Sequence, residues 1–243
     1  MIGPLLKEWR MVRGKSQLDL ALDADVSARH LSFLESGRSR PSQEMVLRLA
    51  EALGLPLRER NAMLVAAGYA PQFGESAWES EAMAEVRRAA GIILKGHEPY
   101  PAVVLDAAYV VLDATDGALA MLGGTREVLG QANLMDLVFA PGPVRAGIGN
   151  WEDVAAYLLH RMRESVRMRG PRSQVAEVLK RALAQPGASE VAAMPYGGRN
   201  RVLLPLIFTR EGETTRWITT VTSFGAAQDA LAEEITIELF HPQ

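Results

Sequence analysis

The sequence contains no cysteine. This absence excludes disulfide bonds, zinc sites with thiolate ligands and catalytic thiols. The sequence also has no apolar run that approaches the ~18 residues of a membrane span. Its first residues, MIGPLLK, lack the succession of basic, apolar and small residues that marks a secretory signal. We therefore expect no membrane partner and a cytoplasmic location.

Signatures of catalysis are also missing. The chain has no H-E-x-x-H, G-x-S-x-G, P-loop or G-x-G-x-x-G motif. Its four histidines are scattered without the spacing of metal ligands, at His30, His97, His160 and His241. The sequence thus predicts a protein that is not an enzyme and that has no metal and no cofactor. An enzyme joined to a binding domain, or a haem site through His97 or His160, stays open as an alternative.

The overall composition is that of a folded protein. The chain has 243 residues, of which 48% are apolar and 23% charged, which suits two domains with packed cores. The net charge of -3 conceals an asymmetry. The first 70 residues carry ten Lys and Arg against eight Asp and Glu, whereas the remainder carries sixteen against twenty-one. Such a split indicates one part that faces a polyanion and another part with a different role.

Residues 3–68 have the apolar spacing of five short helices. Ser16 and Ser27 are predicted N-caps, and Asp19 stands where it would complete a capping box with Ser16. No run of β-branched residues interrupts the pattern. The sequence therefore predicts an all-α, five-helix domain over residues 1–70.

The stretch Gln17–Arg40, QLDLALDADVSARHLSFLESGRSR, has the pattern of a helix-turn-helix unit. The first helix is predicted to face the core with Leu18, Ala21 and Leu22, and Ala21 is small enough for a close helix crossing. A tight turn at Asp25 follows. The second helix has apolar anchors at Val26, Leu31 and Leu34. In such a unit, the N-terminal residues of the second helix enter the DNA major groove.

The polar positions of this unit suit double-stranded DNA. Three residues that point away from the apolar stripe are predicted to reach base edges: Ala28, Arg29 and Ser32. Three flanking residues are predicted to contact phosphates: Gln17, Arg38 and Arg40. A bidentate pairing of Arg29 with guanine would contribute ~1–3 kcal/mol of discrimination between bases.

Residues 1–70 resemble the phage-repressor/Cro type of helix-turn-helix domain, often called XRE-like. The most telling segment is S-x-x-x-L-S-x-L-E-S-G-R-S-R-P-S. The resemblance implies that the six residues just named occupy DNA-contacting positions. Asp25 departs from the family, which usually has glycine in the turn, but aspartate tolerates left-handed backbone at a cost of ~1 kcal/mol. A two-fold homodimer of such domains predicts an inverted-repeat operator with half-site centres ~10 bp, or a multiple, apart.

The rest of the chain is predicted to be an α+β domain. Residues 71–96 are expected to form a linker and a connecting helix that opens at Ser76, and residues 97–243 the domain itself. Short apolar runs at Ala102–Leu105 and Tyr109–Leu112 predict two strands.

Further elements are predicted towards the C-terminus. Asn150 is the expected cap of a long helix, and two more strands are expected over Arg201–Thr209 and Thr215–Phe224. The tail, Gln228–Phe240, fits the spacing of a helix and of a strand equally well.

Residues 95–243 are similar to the ligand-binding domain of MmyB-like regulators. The segments that carry this resemblance are PYPAVVLDAAYVVLDATDGALAML, NLMDLVF, WEDVAAYLLHRM and ITTVTSFGAAQDALAEEITIELFHP. That domain is PAS-like, with a small antiparallel sheet and helices that enclose a pocket. The resemblance implies a sensory domain whose ligand is a fatty acid or a similar apolar carboxylate.

A fatty-acyl pocket needs an apolar tube and one polar anchor at its mouth. The candidate wall residues are Val103, Leu105, Val111, Leu119, Leu137, Phe139, Leu158, Met162, Leu204 and Trp217. The candidate anchors are His160 and the arginines Arg161, Arg163, Arg167, Arg169 and Arg172.

The sequence therefore predicts a sequence-specific, DNA-binding transcription regulator whose C-terminal domain senses a small apolar ligand. Two alternatives stay open at this point. The C-terminal domain could serve only to form a dimer or to bind a protein partner. The helical domain could bind protein and have no affinity for DNA.

Overall fold

The N-terminal part of the protein is an all-α bundle, as the sequence predicts. The computed structural model describes residues 1–130, 132–194 and 203–243. The five helices of the bundle are α1 (Ile2–Val12), α2 (Gln17–Asp23), α3 (Ala28–Glu35), α4 (Gln43–Ala52) and α5 (Leu57–Ala67). One apolar core joins all five helices, and it includes Leu6, Leu20, Leu31, Leu49 and Leu64.

Serine side chains begin three of these helices. The hydroxyls of Ser16, Ser27 and Ser42 each accept a hydrogen bond from the backbone N–H three residues later, at 3.1–3.2 Å. Asp19 completes the predicted capping box, because its carboxylate accepts the backbone N–H of Ser16 at 2.8 Å. These bonds satisfy N–H groups that have no partner within the helix. The local sequence therefore fixes where α2, α3 and α4 begin.

One predicted face of the bundle is wrong. Helix α2 buries Leu20 and Ala21, whereas Leu18 and Leu22 are exposed. A seven-residue helix covers fewer than two turns, so its apolar spacing does not determine which side faces the core.

A linker and a long helix follow the bundle. A 3₁₀ turn at Glu81–Met83 leads into α6 (Ala84–His97), which buries Ala90 and Leu94. The predicted helix start at Ser76 is wrong. The backbone N–H of Ser76 donates to the carboxylate of Asp229 at 3.0 Å, and this bond holds the chain against the C-terminal region in a non-helical conformation.

The second part of the protein contains an antiparallel sheet with the order β2-β1-β5-β4-β3. Its strands are β1 (Ala102–Leu105), β2 (Val111–Ala114), β3 (Leu206–Arg210), β4 (Glu213–Ser223) and β5 (Thr236–Pro242). Strand β2 begins two residues later than predicted. The carboxylate of Asp106 accepts the N–H groups of Ala108 and Val110, both at 2.8 Å, and so forms a tight turn before β2. The first part of the predicted strand Arg201–Thr209, residues 201–202, lies outside the described residues.

The two faces of the sheet have different neighbours. Side chains alternate along a strand, and Val104 pairs with Ile237 on the face that α6 covers. The opposite face, called the inner face below, carries Val103 and Phe208 and packs on the remaining helices. These helices are α7 (Asp116–Leu122), α9 (Leu134–Phe139), α10 (Pro143–Gly147), α11 (Trp151–Arg169), α12 (Gln174–Leu183) and α13 (Ala188–Ala192), whereas the short α8 (Arg126–Leu129) lies against β2.

Asn150 precedes α11 as predicted, but its side chain does not cap the helix. Its carboxamide oxygen accepts the N–H of Ile207 at 3.0 Å, and its nitrogen donates to the carbonyl of Pro205 at 2.7 Å. Asn150 therefore ties the start of α11 to β3.

The ambiguous tail contains both kinds of element. Helix α14 (Ala230–Glu234) begins where the carboxylate of Asp229 accepts the N–H of Leu231 at 2.8 Å. The chain then passes into β5, which lies between β1 and β4. Helical spacing is correct for the first half of the tail and strand spacing for the second.

Candidate functional site

The predicted helix-turn-helix unit is formed by α2, a turn and α3. Ala21 is 1% exposed between the two helices, and the N–H of Val26 donates to its carbonyl at 2.9 Å. Asp25 has a φ of 51°, which is the left-handed conformation expected of the residue that replaces glycine. Helix α3 buries Leu31 and Leu34, and its other side is open. The unit therefore presents the outer side of α3 to a partner.

The residues predicted to contact DNA lie along this open side. Arg29, Arg38 and Arg40 are exposed, and Gln17, Ala28 and Ser32 are partly exposed. Phe33, which the sequence reasoning missed, holds two of the arginines. The guanidinium carbons of Arg29 and Arg38 lie 5.4 and 6.0 Å from the centre of its ring. The signal that could have found Phe33 is its position four residues after Arg29, on the same side of α3.

Gln17 has a second role inside the bundle. Its side-chain N–H group donates to the carboxylate of Glu35 at 2.8 Å, and Arg10 donates to the same carboxylate at 2.6 and 3.0 Å. Burial favours the neutral acid, but the hydrogen bonds from Arg10 and Gln17 hold the pKa of Glu35 below its usual value. The bonds of Glu35 with Arg10 and Gln17 fix α1 and α2 to the end of α3.

An internal cavity of about 260 Å³ lies between the inner face of the sheet and the helices. Helix α11 forms one wall, and the strands β3, β4 and β5 form the other. The apolar lining includes Met121, Leu134, Val138, Leu158, Phe208 and Phe240. The size and the lining are suited to a small apolar molecule.

The ten wall residues predicted from the sequence divide among three places. Two line the cavity, Leu158 and Leu204. Five pack in or against the adjacent core: Val103, Leu105, Leu137, Phe139 and Met162. The last three, Val111, Leu119 and Trp217, pack in or against the same core, and each also borders a groove at the surface. The apolar pattern identifies residues that avoid water, but the curl of the sheet places the gap under β3–β5 and leaves close packing under β1.

One of the predicted anchor candidates lies in the cavity. Arg161 on α11 donates to the carboxylate of Glu238 on β5, and both residues line the cavity. The other arginines are engaged elsewhere: Arg163 near the carbonyl of Ala192, Arg167 with Glu164, Arg169 with Glu234 and Arg172 with Glu8. Burial disfavours the charge of Arg161, but the nearby carboxylate of Glu238 raises its pKa above the ordinary value.

The end of α11 contacts the helical bundle. Arg13 of the bundle donates to the carbonyls of Arg167 and Met168 in the last turn of α11, and to that of Leu53 at the end of α4. A cation near the carbonyl ends of two helices is favourable because these ends carry partial negative charge. Gly170 packs on the ring of Trp9, where an added Cβ would lie 2.8 Å from the nearest ring carbon.

Helix α14 contacts the bundle as well. The carboxylate of Glu233 accepts the backbone N–H of Leu57 at 2.8 Å and so caps α5. Glu234 accepts two bonds from Arg58 of α5, both at 2.9 Å, and one from Arg169 of α11 at 2.8 Å. Glu234 thus joins α5, α11 and α14 at one point.

A helix-turn-helix unit and an α+β domain with an internal cavity, joined in one chain, define a DNA-binding transcription regulator with a ligand-binding domain. The chain belongs to the family of MmyB-like transcription regulators. Residues 86–243 match the MmyB-like transcription regulator ligand binding domain, and residues 6–60 match a Helix-turn-helix family. The family and the fold class predicted from the sequence are confirmed.

Comparison with individual proteins adds two partial similarities. Over 57 residues the chain is 37% identical to the Transcriptional regulator ClgR of Mycobacterium tuberculosis, in the strains CDC 1551 / Oshkosh and H37Rv. The matching stretch is 24% of the present chain. It spans about half (51%) of the length of the curated relatives it matches. The crystal structure of the PAS domain of an HTR-like protein from Haloarcula marismortui aligns at 9% identity with a TM-score of 0.29, covering 65% of this chain and 95% of that one. Within the ranges described here, no helix is both long and apolar enough to cross a membrane.

Proposed function

We propose that this chain is a cytoplasmic bacterial regulator that binds operator DNA as a homodimer and responds to a small apolar ligand, a fatty acid. The ligand occupies the internal cavity and changes the affinity for the operator. The path of α11 carries this proposal. The helix lines the cavity with Leu158 and Arg161, and its last turn is held by Arg13 of the DNA-binding bundle.

The DNA-binding part of the proposal rests on the outer side of α3. Ala28, Arg29 and Ser32 stand at the N-terminal part of the helix, which enters the major groove in this type of unit. Arg38 and Arg40 follow the helix, where they reach phosphates together with Gln17. A cation over an aromatic face gains ~0.5–1 kcal/mol at an exposed site, so Phe33 orients Arg29 and Arg38 before DNA arrives.

The response to a ligand rests on the contacts between the two parts. A ligand shifts a conformational equilibrium only by its different affinity for the two states. The cavity is lined by α11 and β5, and the bundle is held by the end of α11 and by α14, which directly precedes β5. A ligand that moves α11 against β5 therefore changes the position of the bundle and, in the dimer, the spacing of the two α3 helices.

A binding experiment tests the proposed function. Operator sites are selected from random DNA, and the affinity is measured for protein as purified and after removal of bound lipid, with native mass spectrometry to identify any ligand. We expect an inverted-repeat site with half-site centres ~10 bp or a multiple apart, and an affinity that changes about 5- to 150-fold with ligand. An unchanged affinity, from a dimer that takes up no lipid, would favour a C-terminal domain that only forms the dimer or binds a protein partner.

Substituting Arg38 by alanine is expected to weaken DNA binding to all sequences alike. Loss of one phosphate contact reduces the number of released counterions, so the slope of log K against log salt should become shallower by about 0.9. The measurement is fluorescence anisotropy with the operator and with an unrelated duplex at several salt concentrations. Arg48→Ala on α4, which removes another exposed arginine, is the control and should leave the slope unchanged. A loss confined to the operator would contradict the assignment of Arg38 to a phosphate.

A further inference from the structure

The cavity contains one charged pair in an otherwise uncharged lining. Among the described lining residues, only Arg161 and Glu238 carry charge, and they are bonded to each other. The side chain of Glu238 is 6% exposed and that of Arg161 is 23% exposed. A pair of this kind is costly to bury and contributes little to stability. Its position in the wall of a cavity therefore points to a role in binding.

The guanidinium of Arg161 is used only in part. It has five N–H groups, and within the described residues its hydrogen bonds go to one partner, Glu238. The ring of Tyr109 lies beside it, with the ring centre 5.9 Å from the guanidinium carbon. The planar fork of an arginine matches a carboxylate through two parallel hydrogen bonds. Arg161 can therefore donate two parallel hydrogen bonds to the carboxylate of a ligand, whereas it donates one to Glu238.

The charge balance limits how that carboxylate can bind. Among the described residues, the charged and titratable groups that face Glu238 are Arg161 and Tyr157 from α11 and Tyr109 from the turn before β2. In the described part of the chain, the residues paired with Glu238 on the adjacent strands are the apolar Val103 and Val221. Burial raises the pKa of Tyr109, so this phenol stays neutral. Arg161 and Glu238 thus balance each other, and a second carboxylate would leave one uncompensated negative charge in a poorly polarisable cavity.

We propose that the ligand carboxylate replaces Glu238 as the hydrogen-bond partner of Arg161, and that Glu238 takes up one proton from solvent in the same step. One carboxylate and one proton then enter the cavity together, and the net charge inside stays at zero. This proposal rests on the proposed function, since it specifies how the sensing cavity recognises an acid. In this proposal, Glu238 binds Arg161 in the absence of ligand and competes with the carboxylate of the ligand for it.

The size of the cavity indicates the length of the acid. An apolar cavity of about 150 Å³ holds benzene, which has six non-hydrogen atoms. By proportion, a volume of about 260 Å³ holds about ten such atoms. Octanoate, with eight carbons and two oxygens, is the matching probe, and octanamide is its uncharged counterpart of equal size.

Titration calorimetry of the full chain, freed of bound lipid, tests the proposal between pH 6 and pH 8. Octanoate is ionised throughout this range, as a free glutamate side chain is. If binding takes up one proton, the affinity for octanoate falls about tenfold per pH unit as the pH rises. The heat of binding should also depend on the ionisation enthalpy of the buffer. The affinity for octanamide should not change with pH.

Two substitutions separate the roles of the pair. Glu238→Gln mimics the protonated acid, so octanoate should bind independently of pH and at least about tenfold more tightly than to the wild type at pH 8. Arg161→Gln should weaken octanoate about tenfold or more and leave octanamide within about threefold. If Glu238→Gln fails to fold, an affinity of the wild type for octanoate that does not depend on pH still overturns the exchange.

The outcomes distinguish the exchange from the sensing function. Binding of octanoate and octanamide with equal, pH-independent affinity would overturn the exchange and leave a ligand-responsive regulator in place. Binding of neither probe, combined with an operator affinity that no lipid alters, would overturn both.

Discussion

Replacing Glu234 by alanine is expected to lower the free energy of unfolding by about 3–5 kcal/mol, the usual effect of removing one partner from a buried ion pair. The carboxylate of Glu234 is 6% exposed and receives three hydrogen bonds from Arg58 and Arg169. Without it, Arg169 loses the carboxylate to which it donates, and Arg58 is left with its more exposed partner Glu75.

Urea denaturation followed by circular dichroism measures this loss. Glu44→Ala is the matched control, since it removes an exposed carboxylate that pairs with Arg48 at 2.9 Å on α4. A surface pair of this kind contributes 0–1 kcal/mol, so the control should remain close to the wild type. Glu234→Gln, which keeps the shape and one acceptor oxygen, should lose less than the alanine variant. If Glu234→Ala lowered the free energy of unfolding no more than the control does, Glu234 would not be the residue that holds α14 and α11 to the bundle.

The contact at Glu234 also bears on the proposed response to a ligand, because α11 both lines the cavity and reaches this contact. Arg161 lies two turns before Arg169 on this helix, and Glu238 lies four residues after Glu234 on the other side of the contact. Helix α11 therefore contributes one charge to the cavity and another to the contact with the bundle, and β5, which carries Glu238, directly follows α14, which carries Glu234. In the proposed function, a change in the pairing of Arg161 and Glu238 therefore acts on α11 and on β5, and the bundle is held by the end of α11 and by α14.

Features set by neighbouring residues could be predicted from the sequence. Ser16, Ser27 and Ser42 begin helices because their hydroxyls bond an N–H three residues away. The turn at Asp25 follows equally from local backbone geometry. These features fix where α2, α3 and α4 begin and how α3 follows α2, which is why the candidate DNA-binding surface could be predicted from the sequence.

The cavity and the contact at Glu234 could not be predicted in this way, because they depend on residues far apart in the chain. Arg161 and Glu238 are 77 positions apart, and Arg58 and Glu234 are 176 apart. The sequence indicates that Val103 and Leu105 avoid water, but only the packing of α9 and α11 on the sheet decides that these residues lie in the core. Asn150 is a further case, since its side-chain oxygen accepts the N–H of Ile207 on β3 and does not cap α11, the helix that follows it.

Arg29→Ala is expected to remove discrimination at one base pair of the operator while leaving general affinity for DNA nearly intact. Arg29 is exposed at the second position of α3, and the ring of Phe33 supports its guanidinium at 5.4 Å. A bidentate contact with a guanine contributes about 1–3 kcal/mol of discrimination, which is about a 5- to 150-fold difference in affinity. The preferred base at that position should therefore lose its advantage.

Competition binding with the selected operator, with single-base variants and with unrelated duplex DNA measures this effect. Loss of a base contact lowers the affinity for the operator and flattens the response to substitution at one base pair, whereas loss of a phosphate contact lowers all affinities together. Arg38→Ala therefore serves as the contrasting variant, because it removes the other arginine on the ring of Phe33. If Arg29→Ala and Arg38→Ala weakened every duplex to the same extent, Arg29 would be a phosphate contact, and the reading of bases would fall to other residues of α3.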